Sequence, residues 1–406
     1  MKILALTHYY PPEVNAPASR MSEHARAWTR AGHAVTVVTC APNHPAGTLY
    51  PGYRNRAFQR ENVDGIEVIR VWTWLAANEG FLPRILNYVS YFVSVLVWQW
   101  RLPKADVVIS TSPQFFCGLA GWLLRRRRRP WVLEIRDLWP ESIIAVGAMK
   151  RGPVIRALEA IEGWAYRKAD LVVSVTDSFV PHIRARRPAG AIAVIKNGVD
   201  LALFGPADGE AFKAAHGLTG KFVAAYVGTH GMAHGLETVL DAAEILRERR
   251  DIAVLMVGGG AERERLEAER ARRGLDNVLM LGQQPKAAMP AIWAATGAAL
   301  VLLRGLDTFK SVLPSKMFEA MALGVPMVLG VEGEAKKLML DAKAGIAIPP
   351  ENAPELAAAI VRLADDRAFA ERVGQDARAF VERNFDRARL AEDYLVLLDD
   401  AVDRAR

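Results

Sequence analysis

Apolar and polar positions along this chain fall into two alternating regimes. Runs of roughly four to eight apolar, β-branched-rich residues, the signature of buried strands, are followed by stretches in which apolar residues return every three or four positions, the period of a helix. KILALTHYY leads into the helical SRMSEHARAWTRAG and then HAVTVVTC; ADVVIST leads into FFCGLAGWLLRRRRR; PWVLEIRD and ADLVVSVTD follow. From residue 220 the grammar restarts with KFVAAYVG, LETVLDAAEILRERR, IAVLMVGGG, ERERLEAERARRG, NVLMLGQ and AALVLL. Strands alternating with helices predict βαβ units, and strands apolar throughout predict parallel sheets covered on both faces. The fold class is therefore α/β, with two doubly wound Rossmann-like domains over residues 1–200 and 205–385. The junction is expected near IKNGVDLALFGP (195–206), where Gly, Asn and Pro cluster. Such sheets bind ligands at the carboxyl ends of their strands, and two facing sheets make a cleft.

Length and composition add few constraints. A chain of 406 residues exceeds one ordinary core, and 51% apolar with 24% charged residues is a globular profile. Two cysteines, Cys40 and Cys117, provide no disulfide framework and fit a reducing compartment. The opening MKILALTHYYPP reads as a first strand, its apolar run being too short for a signal peptide.

Charge changes the picture more. Residues 1–200 hold 26 Lys and Arg against 15 Asp and Glu, a net +11, so the rest of a +7 chain carries −4. A basic half points to an anionic partner, nucleic acid or membrane. The stretch ILNYVSYFVSVLVWQW, 16 residues at 85–100 between Arg84 and Arg101, is shorter than the roughly 20 of a membrane span. Its Trp98 and Trp100 and its flanking arginines suit a helix lying at a bilayer interface, and a core helix with a wet edge fits the same pattern. In the run Arg125–Arg129, Arg125, Arg126 and Arg127 are candidates for anionic headgroups, or simply a solvated helix end. Aromatic residues interleaved with basic ones, as on single-stranded nucleic-acid surfaces, are missing, so the membrane reading is preferred.

The loops after strands carry the chemistry. YYPPEVNAPASR after the first strand contains no glycine, which argues against a dinucleotide-binding dehydrogenase. The second half has Gly228, Gly231 and Gly235 after one strand and Gly258–Gly260 after the next, turns that free backbone N–H groups for phosphate. In LPSKMFEAMALGVPMV (313–328), Ser315 is expected to cap a helix that ends near Gly324, with Lys316 adding positive charge to its start. Glu319 lies one turn further on and offers a bidentate acceptor for ribose hydroxyls, so diphosphate and ribose together describe a nucleotide. An ordinary i,i+3 surface pair between Lys316 and Glu319 reads the same spacing differently. No metal is expected: glycines flank His230 and His234, and no Asp-x-Asp occurs. Neither a Gly-x-Ser-x-Gly elbow nor a catalytic cysteine context is present.

Over essentially its full length the chain resembles the retaining glycosyltransferases of family four, which have the GT-B fold. VGTHGMAHGLETVLDAA, VGGG, NGVD and LPSKMFEAMALGVPMV occur in the family's order. HYYPPEVNAPASRMSEHARAWTRAGHAVTVVT, PNHPAGTLYPGYR and EIRDLWPES resemble a bacterial O-antigen, capsule and exopolysaccharide subgroup that includes N-acetyl-L-fucosamine transferases. The resemblance implies a UDP-sugar donor held mainly by the C-terminal domain through Glu319, Ser311, Leu313, Pro314, Ser315, Gly228, Thr229, His230, His234, Gly258, Gly259 and Arg304. It implies a polyprenyl-diphosphate-linked glycan acceptor on the N-terminal domain, with Asn15, Ala16, Pro17, Arg20, His44 and Ser112 as candidates, and a final helix (387–404) completing that domain. Three positions depart from the family. Ser311 replaces a glutamate that contacts donor-sugar hydroxyls, which favours a deoxy or amino sugar. Thr229 and His234 replace an Arg and a Lys, leaving Lys316, then Arg304, to neutralise the diphosphate. Arg136-Asp137 replaces a His-Asp pair.

Retention in this family implies attack on the face the diphosphate leaves, with a phosphate oxygen taking the acceptor proton, and Lys316, Asp137 and Arg136 positioned around the reacting groups. The expected location is the cytoplasmic face of the plasma membrane. A GT-B nucleotide-sugar epimerase and a non-catalytic membrane adaptor are the alternatives.

Overall fold

The computed structural model describes the whole chain apart from residues 14, 45, 77–80, 113–114, 126–128, 142–143, 145–148 and 150–151, and apart from the side chains of Phe81, Leu82 and Phe115. The chain divides into two compact units, Met1–Asn197 with Arg387–Arg406, and Gly198–Asp386.

In the first unit, β1 (Lys2–Leu6), β2 (Ala34–Cys40), β3 (Phe58–Val63), β4 (Ile66–Val71), β5 (Val107–Thr111), β6 (Trp131–Ile135), β7 (Leu171–Ser174) and β8 (Ala191–Val194) form one sheet. Its order is β3-β4-β2-β1-β5-β6-β7-β8, parallel except for the β3–β4 hairpin. The helix Ala16–Arg30 begins where the Asn15 side-chain oxygen accepts the Ala18 N–H at 2.9 Å, with Pro17 just inside. Its buried Trp28 donates to the Ala391 carbonyl, 2.9 Å away on the helix Arg387–Ala405. Tyr394 and Leu398 of that last helix join the core beneath β1, β2 and β5, so the chain's end is part of this unit.

The helix Phe81–Val97 stops three residues short of the expected 85–100 segment, and Gln99–Arg101 forms a separate turn. Tyr91 and Val95 face the core, whereas Leu86, Val93 and Val97 are exposed on the opposite side, followed by Trp100. Trp98 belongs with the core side: its ring packs 5.4 Å from Phe58 and is covered by Arg101. It is therefore not free to anchor in a bilayer, and Trp100, 66% exposed, is the available aromatic. Arg125 follows the helix Phe115–Leu124 and pairs with Asp170 at 3.3 Å, so part of its charge is already neutralised. Arg126 and Arg127 lie outside the described residues. Among the described residues no helix is long and apolar enough to cross a membrane.

The second unit holds β9 (Phe222–Val227), β10 (Ile252–Val257), β11 (Val278–Leu281), β12 (Ala298–Leu302), β13 (Met327–Gly330) and β14 (Gly345–Ala347) in the parallel order β11-β10-β9-β12-β13-β14. Its strands read as apolar throughout because alternate residues feed two different cores. Val223, Ala225, Val227, Leu255 and Val301 pack on one face; Ala224, Tyr226, Met256 and Leu300 pack on the other.

Candidate functional site

Each sheet reverses its order once, beside β1 and β5 in the first unit and beside β9 and β12 in the second. Chains leaving two such strands turn to opposite sides and leave a crevice at the carboxyl edge, where open α/β sheets bind ligands. In the second unit that edge is built by the loop Gly228–Gly235 after β9 and the segment Leu303–Ser315 after β12.

The glycines of this edge answer a packing demand. A Cβ on Gly258 would stand 1.9 Å from the Gly228 carbonyl oxygen, and one on Gly228 would stand 2.8 Å from Lys316 Nζ. The lysine tip can give way and the carbonyl cannot, but φ of 141° at Gly228 and 145° at Gly258 strains any residue other than glycine. The close packing also uses up N–H groups that the sequence led us to expect free. Gly228 donates to Val257 O at 2.9 Å, Gly258 to Leu281 O at 3.1 Å, and His230 to Gly259 O at 2.8 Å. The Gly228 and Gly258 N–H groups are thus committed to the fold, while several others of the two loops, among them those of Thr229, Gly231, Gly259 and Gly260, meet no carbonyl among the described residues.

Ser315 occupies the cap position of the helix Lys316–Ala322, but its side chain makes no capping bond. Its backbone is already helical (φ −59°, ψ −28°), which points the hydroxyl away from the N–H groups it was expected to receive. The first turn closes through Met317 N–H to Pro314 O and Phe318 N–H to Ser315 O, leaving the N–H groups of Ser315 and Lys316 unbonded. Lys316 Nζ is buried and has no hydrogen-bond partner among the described residues; it sits 3.6 Å over the centroid of the Tyr226 ring. Burial lowers its pKa to about 7, opposed in part by Glu319. The i,i+3 surface pair is not formed. Instead Glu319 Oε2 accepts the Trp293 indole N–H at 3.2 Å, and burial raises its carboxyl above the usual range despite Trp293, Lys286 and Lys316.

The other donor candidates surround this pair. His230 is fully buried with both ring nitrogens unpartnered, and burial, then Arg263 and Lys316, lower its pKa to about 4. His234 falls to about 4 for the same leading reason; its Nδ1 lies 3.3 Å from Leu302 O. Both rings are neutral near pH 7, so neither replaces a fixed cation. Arg304 donates its N–H to Ala233 O at 2.9 Å, and its Nε is buried without a partner. Ser311 closes the turn Asp307–Ser311, its hydroxyl donating to Thr308 O at 3.2 Å. Leu313 is core, and Pro314 contributes its carbonyl to the helix start.

In the first unit the cationic candidates are bound to the protein itself. Glu134, in β6, is inaccessible to solvent and takes Arg20 at 3.0 Å and Arg136 at 3.6 Å. Burial would raise Glu134, but the two guanidiniums outweigh it and hold the carboxyl below its ordinary value. Arg20 also donates to the carbonyls of Ile195 and Lys196 and to the Asn197 side chain. At 3% exposure it is part of the scaffold, not of an acceptor surface. Arg136 reaches back to the carbonyls of Ala16 and Pro17 at 3.2 and 3.3 Å, and burial lowers its pKa to about 10. Those residues of the acceptor set thus position Arg136 through their backbone, while Asn15 serves as the helix cap. Ser112 Oγ accepts the Arg136 N–H at 2.8 Å and donates weakly to Asp137 O, placing Asp137 half-buried at the end of β6. His44 lies apart from this group. It lines a shallow recess with Tyr9, Asn43, Arg84, Asn87 and Tyr88, and its N–H donates to Glu13 at 2.9 Å.

Sequence reasoning missed Tyr226, Trp293, Arg263 and Glu134. Arg263, on the helix Arg263–Arg273, donates to Leu281 O at 2.7 Å and to Gly258 O, clamping the second glycine loop. Only Glu134 carried a sequence signal, a carboxylate inside the apolar strand WVLEI.

Similarity to known proteins agrees with this geometry. Residues 15–198 match the family described as Glycosyl transferase 4-like domain, and residues 208–380 match Glycosyl transferases group 1. The Escherichia coli (strain K12) protein named "Putative colanic acid biosynthesis glycosyl transferase WcaI" is 26% identical over 97% of this chain and 99% of its own length. Among solved structures, sucrose-phosphate synthase from Thermosynechococcus elongatus superposes with a TM-score of 0.78 at 20% identity over 98% of both chains. Anabaena Alr3699/HepE in complex with UDP and glucose gives 0.73 at 19% over 98% of this chain and 100% of that one.

Proposed function

We propose a donor, an acceptor and a route for a chain that belongs to the GT-B glycosyltransferases of family four, pairing a 4-like domain with a group 1 domain. It is a hexosyltransferase-type enzyme. The proposed reaction moves an N-acetylated deoxy sugar from a UDP-sugar to a polyprenyl-diphosphate-linked glycan, with retention, during synthesis of a bacterial O-antigen, capsule or exopolysaccharide.

One observation carries the donor half. At the carboxyl edge of the second sheet, a buried lysine amine without a partner faces a glycine loop, with undirected N–H groups of Ser315, Lys316 and Thr229 around it. An unpaired buried cation beside free donors is costly in an empty protein and is relieved by an anion of high charge. Glu319, oriented by Trp293, then lies one helical turn away for a ribose. The relative in complex with UDP supports UDP as that ligand.

In this reading Lys316 and the Ser315 and Lys316 N–H groups take up the charge that develops on the departing diphosphate, which is where preorganised donors lower a barrier most. The bond from the anomeric carbon to the diphosphate oxygen breaks as the acceptor oxygen forms the new one on the same face. The acceptor proton passes to a phosphate oxygen, so no protein nucleophile is consumed. Asp137 and Arg136, fixed by Ser112 and Glu134, are proposed to orient hydroxyls from the first unit. The relative named for colanic acid biosynthesis supports a surface-polysaccharide setting. The exposed Leu86, Val93, Val97 and Trp100, beside Arg84 and Arg101, support peripheral attachment to the inner face of the plasma membrane, where a lipid-linked acceptor would be found.

Titration calorimetry of UDP, with GDP as control and EDTA present, tests the donor. Metal-free UDP binding that weakens about tenfold or more in Glu319→Ala is expected, the loss of a charged hydrogen-bond acceptor. Preference for GDP would replace the donor, and no binding of either would remove the site.

A further inference from the structure

The setting of Lys316 goes beyond a phosphate contact. Its Nζ lies against the face of Tyr226, 3.6 Å from the ring centroid, and no oxygen among the described residues bonds it. The Tyr226 hydroxyl is turned away and donates to Thr229 O at 2.7 Å, which pins the loop after β9. The same ring stands 5.8 Å from both His230 and His234. Around the amine are therefore one aromatic face, two uncharged imidazoles and a single carboxylate, Glu319, which is held by Trp293. Further cations act on those neighbours: Arg263 on His230 and Lys286 on Glu319.

We propose that Tyr226 is a positioning residue whose ring seats the Lys316 amine, and that donor binding draws a proton onto that amine. This rests on the donor reading above. A ring face holds an ammonium weakly and without direction, so the amine is kept in place yet free to turn toward an anion. In the empty site burial disfavours the charged form, and with the pKa at about 7 most amines are neutral at pH 8. A diphosphate supplies the missing counter-charge and restores the ammonium. The proton comes from solvent, and no covalent bond changes. UDP affinity should thus fall as pH rises above about 7, toward tenfold per pH unit, because the bound state holds the extra proton.

The test is calorimetric titration of UDP at pH 8 in two buffers of different ionisation enthalpy, which reads the number of protons exchanged. Wild type should take up about 0.9 proton per UDP. Lys316→Arg, whose guanidinium cannot shed its proton at this pH, should still bind UDP and take up close to none. Binding by wild type without proton uptake, or uptake unchanged in Lys316→Arg, overturns the proposal; the latter would assign the proton to His230, His234 or UDP itself. No binding of UDP or GDP by wild type would overturn the donor reading, and this inference with it. For the seat, Tyr226→Phe should keep both ring and uptake, while Tyr226→Leu should weaken UDP about tenfold more than Tyr226→Phe does. Equal weakening in the two variants would show the hydroxyl to be the working group and the ring seat to be wrong.

Discussion

Buried cations are treated in opposite ways by the two units. At the end of β6, Arg20 meets Glu134, two carbonyls and an amide oxygen, and Arg136 meets the same carboxylate and two more carbonyls. At the edge of the second sheet, Lys316 is buried against a ring face and has no hydrogen-bond partner among the described residues. Taking a charge out of water is costly in both places. In the first unit the protein offsets that cost itself, and the result is a rigid joint between the helix Ala16–Arg30, β6 and residues 195–197. In the second the described residues leave that cost without a hydrogen bond, and the proposed donor diphosphate would relieve it. The saturated arginine is built into the scaffold, and the unsaturated lysine is the group on which the proposed donor site rests.

The sharpest way to break this contrast is to truncate one member of each group. Arg20→Ala removes the nearer of the two guanidiniums on Glu134, leaves Arg136 at 3.6 Å, and should lose about 3 kcal/mol of stability, read by denaturant titration. An unfolding midpoint equal to wild type would return Arg20 to the surface. Lys316→Ala strands nothing, so its melting temperature should hold or rise. Its turnover at saturating donor should fall roughly 10²–10³-fold, and its UDP affinity should fall too, because the ammonium that answers the diphosphate is gone. If turnover survives, the lysine is not the group that stabilises the leaving diphosphate.

Acid and base separate the two sites by window. Lys316 has a folded pKa of about 7, below the ordinary lysine value of about 10.4, so between these the unfolded chain binds more protons and stability rises with pH. That rise should be absent in Lys316→Met when unfolding is followed from pH 7 to 10 without nucleotide. Glu134, held below the usual carboxylate range, contributes stability that is present above its unfolded pKa and lost as pH falls through the folded one. A single shared window would mean that the two charges are not independent. The smallest effect is expected at the exposed stripe. Val97→Glu should weaken sedimentation with anionic vesicles by about threefold to tenfold and leave the melting temperature almost unchanged.

Much of the fold is written in local pattern. β9, β10 and β12 read as strands because both of their faces are buried, and the segment LPSKMFEAMALGVPMV announces its helix by Pro314 before it and Gly324 after it. The charges of that segment stood out because the rest of it is apolar. Tyr226 could not stand out in the same way. In KFVAAYVG it is one more apolar strand residue, and its role depends on an amine that arrives from ninety positions later in the chain. Trp293 is hidden likewise, since nothing near it in sequence shows that its N–H meets Glu319. Arg20 carries the converse lesson: it reads as a surface charge on an amphipathic helix, and only the fold brings Glu134 and the carbonyls of 195–196 around it.

The sequence by itself determined the two doubly wound units, the place of their loops, and the chemical types gathered in the second half: glycines, one lysine, one glutamate. Periodicity and steric preference act over a few residues, and a single chain displays them completely. Only the tertiary structure decided which buried charges are satisfied. Satisfaction is a property of pairs far apart in the chain, 114 positions for Arg20 and Glu134 and 176 for Arg20 and the Lys196 carbonyl, and burial, which sets the cost of leaving a charge alone, exists only after the chain has folded. That is why Arg20 and Lys316, both basic residues on helices, end as a saturated joint in one unit and a buried amine without a hydrogen-bond partner among the described residues in the other.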